Sequence, residues 1–161
     1  MKQQCIIIRG PLGVGKTTIA KEISVRCNAH YISFDEVLVE YNLDKEDDVF
    51  TALDFIKANT CILDDCQKVL QEGQSIVFDG CFYFLEQINH LQEHLNASFI
   101  IFDLKASLET CIKRDANREK SYGEKAAQEV FVLVSKHDVG IAINVEKPFN
   151  VVIEEIVSLL D

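Results

Sequence analysis

Gly10-Pro11-Leu12-Gly13-Val14-Gly15-Lys16-Thr17 fits the pattern G-x-x-x-x-G-K-[ST] at every fixed position, and its flanks decide how it is read. Before it, Cys5-Ile6-Ile7-Ile8 is a short apolar run with the character of a buried strand; after it, Ile19, Ala20, Ile23 and Cys27 recur at helical spacing. The loop therefore joins a strand to a helix N-terminus, where successive backbone N–H groups and the positive end of the helix dipole converge on an anion. Glycines let the chain curl around phosphate oxygens without a Cβ clash. The expected nucleotide-binding stretch is Gly10, Pro11, Leu12, Gly13, Val14, Gly15, Lys16, Thr17 and Thr18. Lys16 is expected to reach the β- and γ-phosphates, and the Thr17 hydroxyl to ligate Mg²⁺.

Outward from that loop, strands and helices alternate. His30–Phe34 reads as a second strand ending at Asp35-Glu36, and a polar stretch from Asn42 to Asp48 opens a long helical segment. Its apolar stripe is Val49, Ala52, Leu53, Ile56, Leu63, Cys66 and Leu70, and Gly73 ends it. Ser75–Phe78 is the third strand, closed by Asp79-Gly80. A helix around Glu86–His94 leads to the fourth, Ser98–Phe102, closed by Asp103. Leu108, Cys111 and Ile112 carry another helix into the charged run Lys113–Lys125. A helix over Ala126–Ser135, a strand over Gly140–Ile143 and a last helix near Pro148 complete the chain. Five strands separated by helices imply one α/β domain over residues 1–161, built on a doubly wound parallel sheet.

Composition removes several function classes. The chain has 161 residues, 48% hydrophobic, enough for one substantial core. No apolar stretch nears the ~20 residues of a membrane span, and Met1-Lys2-Gln3-Gln4 has no signal-peptide character. A cytoplasmic protein without a membrane partner is expected. The six cysteines show no C-x-x-C and no paired Cys/His spacing, which argues against a zinc site or a disulfide framework. A net charge of −10 disfavours nucleic acid as a partner, yet is compatible with a nucleotide held in a local positive pocket.

Parallel sheets bind ligands beyond the carboxyl ends of their strands, where Asp35, Asp79 and Asp103 all stand. Phosphoryl transfer requires a carboxylate on the metal side and one to take the proton of an attacking hydroxyl. Asp79, after Ile76-Val77-Phe78, suits the metal side; Asp35 suits the acceptor or general-base role. Asp103 reads as a strand-to-helix connector. The basic residues concentrate in Lys113–Lys125, where Arg114 and Arg118, four apart, share a helix face and can address one anion; Asp115 and Glu119 could instead pair with them on a solvated face.

With Gly10–Thr18, Phe34-Asp35, Val77-Phe78-Asp79-Gly80 and Cys111–Arg118 in hand, the chain resembles small P-loop kinases of the adenylate kinase and shikimate kinase type. It is nearest in character to the group of chloramphenicol phosphotransferase, the zeta toxins and polynucleotide 5′-kinases. The resemblance implies a three-layer P-loop NTPase fold, a five-stranded parallel sheet of order 2-3-1-4-5 and a short lid at about residues 115–125. It also implies acceptor contact at Asp35, adenine and phosphate contacts at Arg114 and Arg118, and catalytic roles for Lys16, Asp35 and Arg118. Cys81-Phe82-Tyr83-Phe84 departs from the family, because no arginine there grips an anionic acceptor. The three aromatics could line a neutral acceptor or join the core. The expectation is a Mg²⁺-dependent transfer of the γ-phosphoryl group of ATP or GTP to a hydroxyl of a small non-anionic acceptor, by a monomer or weak dimer. The alternatives are a polynucleotide 5′-hydroxyl kinase and a nucleotide-binding switch module.

Overall fold

A computed structural model describes residues 3–45 and 49–160; Met1-Lys2 and the end of the polar stretch at Asp48 lie outside the described residues. The elements run β1 (Gln4–Arg9), α1 (Lys16–Arg26), β2 (His30–Ser33), α2 (Phe34–Glu40), α3 (Ala52–Gln71), β3 (Ile76–Asp79) and α4 (Leu85–His94). They continue with β4 (Ser98–Lys105), α5 (Leu108–Ala116), α6 (Glu124–Ser135), β5 (Ile141–Asn144) and α7 (Phe149–Ser158). All the strand pairs are parallel and the order is β2-β3-β1-β4-β5, as the resemblance implied.

The central strand shows how two cores arise from one apolar run. Cys5 and Ile7 face a core closed by α2, α3 and α4, while Ile6 and Ile8 face a second core with α1, α5 and α7. Strand side chains alternate faces, so a strand covered on both sides must be apolar at every position. Each fully buried isoleucine contributes about 1.5–3 kcal/mol. In α3 the core stripe is Phe55, Ala58, Ile62, Cys66 and Leu70, started by a capping box between Thr51 and Asp54. That start corrects the expected stripe: Val49 precedes the helix, and Val49 and Leu53 are exposed.

Two strand ends differ from expectation. Phe34 does not extend β2; the Ser33 hydroxyl caps α2 by accepting from Glu36 N–H at 3.4 Å, and Asp35 lies in the first turn of that helix. Strand β4 runs past Phe102 to Lys105, with Asp103 inside it and buried rather than in a connector. The cause is Arg9, its cross-strand partner, whose guanidinium Nη1 lies 2.8 Å from Asp103 Oδ2. A buried carboxylate persists only when a cation or donors compensate its lost hydration.

Candidate active site

The phosphate-loop backbone crosses the carboxyl end of β1 and enters α1 at Gly15, which is left-handed at φ 102°. Open space surrounds Gly15, so glycine is needed there for conformation alone. Gly13, at φ 79°, is needed for space as well, because a Cβ would run into the Cys111 carbonyl oxygen of α5. The loop is thus clasped from behind by the helix that carries Arg114.

A cavity of about 410 Å³ opens over this loop, lined by Leu12, Gly13 and Gly15 to Thr18 together with Asp35, Cys81, Arg114 and Arg118. Gly10, Pro11 and Val14 are buried behind it. Lys16 Nζ folds back to donate to the Pro11 carbonyl at 2.9 Å. Thr17 Oγ1 donates to Asp79 Oδ2 at 2.8 Å, and Tyr31 Oη donates to the same oxygen at 2.8 Å. A hydroxyl beside a buried carboxylate at the mouth of a phosphate loop is an all-oxygen donor set that suits Mg²⁺, which binds through few protein oxygens and completes its shell with water and phosphate. No cluster of three or more His, Cys, Asp or Glu side chains fit to hold a metal occurs among the described residues.

The arginines occupy distinct settings. Arg114 donates from Nη1 to Val14 O and from Nη2 to Val145 O, each at 3.1 Å, and so joins the phosphate loop to the turn after β5. It also borders a side cavity of about 230 Å³ that contains Thr18, Val145 and Phe149. Arg118 is half-exposed, 3.8 Å from Asp115 Oδ1, and lies over the Tyr122 ring at 5.5 Å. Asp115, which the sequence offered as a surface partner for these arginines, is buried. Its Oδ2 accepts from Ser121 Oγ at 2.8 Å and from the N–H groups of Tyr122 and Gly123 at 3.1 Å, which shapes the 117–123 loop.

Asp35 stands where the phosphate cavity meets a second one of about 400 Å³. Water reaches the carboxylate from the cleft, yet the surrounding walls push its pKa up; Lys16 and Arg118 oppose that shift, and Asp79 and Glu36 add to it. The second cavity is walled by Leu38, Phe50, Phe55, Tyr83 and Val130, with Lys45 at its edge tied to Asp54 at 3.0 Å. The aromatic run divides: Phe82 is in the core, edge-on to Phe34 at 5.2 Å between centroids, whereas Tyr83 faces the cavity. Cys81 lies between the two cavities, its thiol pushed up by burial and opposed by Lys16. Tyr31, Asp115 and Phe149 were not singled out as site residues from sequence, since their places depend on the β2–β3 register, on the backbone of the 121–123 turn and on where the start of α7 meets the side cavity.

A phosphate loop opening a helix, a strand-end carboxylate on its threonine and a parallel 2-3-1-4-5 sheet define a P-loop NTPase fold of the small-kinase kind. The family model described as AAA domain matches residues 6–138, and the chain belongs to that family. Solved structures carry the same fold along most of their length. A sugar kinase from Janibacter sp. HTCC2649 aligns at TM-score 0.82 and 17% identity, covering 100% of this chain and 95% of that one. A gluconokinase from Sinorhizobium meliloti 1021 aligns at 0.68 and 14%, covering 96% and 90%. Deoxyadenosine kinase from M. mycoides, with products dCMP and dCDP bound, aligns at 0.58 and 21%, covering 97% of each chain.

Proposed function

We propose that the protein is a Mg²⁺-dependent phosphotransferase that moves the γ-phosphoryl group of ATP or GTP onto a hydroxyl of a small, non-anionic acceptor. The observation that carries this reading is the position of Asp35, which lines both the phosphate cavity and the apolar cavity beside it. Nucleotide phosphates lie on the loop against Lys16 and the α1 N-terminus, with the base toward Arg114, Val145 and Phe149. The acceptor lies in the second cavity with its hydroxyl at Asp35. Residues 115–125 act as the lid that brings Arg118 to the phosphates.

The hydroxyl oxygen bonds to the γ-phosphorus as the bond from that phosphorus to the β-bridging oxygen breaks, and Asp35 takes the hydroxyl proton. The carboxyl pKa of Asp35, raised by burial, makes it a better proton acceptor. Lys16 and Arg118 hold the charge that spreads over the transferring oxygens, and positioning supplies most of the remaining acceleration. Thr17 and Asp79 would hold Mg²⁺, which when bound would supply positive charge to offset that of the phosphates. A neutral acceptor is supported by the second cavity, in which Lys45 is the sole Lys or Arg among the described lining residues and is already paired with Asp54.

The test is incubation with γ-labelled ATP and a panel of neutral alcohols, nucleosides, antibiotics, sugar acids and RNA 5′ ends. The reading expects label on a neutral small molecule, and a loss of ~10²–10⁴ in rate for Asp35→Asn with nucleotide binding intact. Label on RNA ends alone, or full transfer by Asp35→Asn, would refute it.

A further inference from the structure

Tyr31 is placed to control the metal side of the site, although it lies on a different strand from the carboxylate it touches. Strands β2 and β3 are parallel with Tyr31 opposite Val77 and Ser33 opposite Asp79, so Tyr31 and Asp79 project on one face of the sheet, two positions apart. The length of the phenol spans that offset and delivers its hydroxyl to Asp79 Oδ2 at 2.8 Å. Thr17 Oγ1 reaches the same oxygen at 2.8 Å from the first turn of α1. One carboxylate oxygen therefore receives two hydroxyl donors from two elements, which fixes the plane of the carboxylate. Among the described residues no side chain donates to Oδ1. On its other side the Tyr31 ring packs under Lys21 of α1, whose Nζ is 5.6 Å from the ring centroid.

Tyr31 is half-buried on the edge strand of the sheet, whereas Asp79 is buried, so the phenol hydroxyl and Thr17 are the side-chain donors that orient this carboxylate among the described residues. We propose that Tyr31 is a positioning residue for the divalent cation: its hydroxyl holds Asp79 in the orientation that receives Mg²⁺ with the nucleotide phosphates, and so sets the Mg²⁺ affinity of the site. The proposal rests on the phosphate-loop reading above and adds to it a residue that never touches nucleotide.

The experiment compares wild type with Tyr31→Phe, which keeps the ring and its contact with Lys21. A fluorescent ATP analogue is held at fixed concentration while Mg²⁺ is titrated, and its affinity is measured separately in excess EDTA. Partners of metal ligands typically contribute 10–100-fold to metal affinity, so the Mg²⁺ midpoint should rise ~10-fold. Affinity in EDTA should stay within about twofold, because the loop amides and Lys16 are untouched. In an Asp79→Asn background, Tyr31→Phe should shift the midpoint no further. An unchanged midpoint in a folded Tyr31→Phe protein overturns the proposal. So does an equal loss of affinity in EDTA, or a variant too unstable to titrate, since either makes the hydroxyl structural. If wild type binds the analogue with no response to Mg²⁺, or does not bind it, the phosphate-loop reading itself fails, an outcome distinct from the others.

Discussion

Replacing Arg9 by methionine removes a charge from the middle of the molecule and leaves its partners behind. Arg9 and Asp103 side chains are 0% and 2% exposed, and their ion pair spans 2.8 Å. The guanidinium also donates from Nε to Phe82 O at 3.2 Å, from Nη1 to His137 O at 3.2 Å and from Nη2 to Val134 O at 3.1 Å. One side chain thereby joins the phosphate-loop strand, the segment between β3 and α4 and the end of α6. Breaking a buried pair by removing one partner costs about 3–5 kcal/mol. Lys105, 39% exposed, still pairs with Asp103 Oδ2 at 2.8 Å, so Arg9→Met belongs at the lower end of that range. Asp103→Leu leaves Arg9 buried with carbonyls alone and belongs at the upper end. With ~2–4 °C per kcal/mol for a chain of this size, Arg9→Met should lower Tm by roughly 6–12 °C. The double variant Arg9→Met/Asp103→Leu should be less unstable than the sum of the singles by about 1.5 kcal/mol or more, since no unpaired buried charge remains. The assay is urea unfolding of all four proteins. A cost under about 0.5 kcal/mol for Arg9→Met, or additive singles, would refute the claim that this pair holds three elements together.

The capping box of α3 gives a pH-dependent stability. Asp54 accepts from Thr51 N–H at 2.8 Å and pairs with Lys45 at 3.0 Å, and its carboxyl is pushed down to about 2. A folded value below the unfolded value of about 3.9 stabilises the fold above pH ~4, and that stability is lost as pH falls toward ~2. Asp54→Asn should therefore cost about 1–2 kcal/mol at pH 7, with urea midpoints of the two proteins converging below pH ~4; a constant gap would contradict this. Asp35 has the opposite sign: its raised pKa means that its stability contribution is lost as pH rises through the folded value. Asp35→Asn should leave Tm at pH 7 equal or higher by calorimetry, and a fall of several degrees would show that the carboxylate is structural. Arg118→Ala should lower kcat more than it raises nucleotide KM. Arg114→Ala should do the reverse and also lower Tm, because it frees the Val14 and Val145 carbonyls; equal small effects in steady-state kinetics would place both on a solvated face.

The parts of this molecule that were readable in the chain are those whose chemistry is local. Gly10–Thr17 states a strand, a turn and a helix start within a few residues, and the strand-end carboxylates Asp35 and Asp79 stand close behind apolar runs. The strand order came from the resemblance, because periodicity fixes an element's faces and says nothing of its neighbours. The misplacements share a cause. Asp103 and Asp115 look like ordinary surface carboxylates, and their burial depends on Arg9, ninety-odd residues away, and on the backbone of the 121–123 turn. Val49 and Leu53 fit the helical spacing of α3 but fall outside its buried face once Thr51 sets the cap. Phe34 has strand-like character, yet the Ser33 cap turns it into the first residue of α2. Tyr31 carried no signal, since its hydroxyl gains meaning only from the β2–β3 register.

The central claim, that this loop holds nucleotide phosphates with Mg²⁺, is tested most directly by the thermal unfolding of wild type and Lys16→Ala with and without Mg²⁺-ATP. At ~100 times its dissociation constant the ligand should add about 2.7 kcal/mol to wild type. That is a Tm rise of roughly 5–11 °C, and Lys16→Ala should lose most of it. A wild-type Tm unmoved by millimolar Mg²⁺-ATP, or an equal rise in Lys16→Ala, would contradict the account.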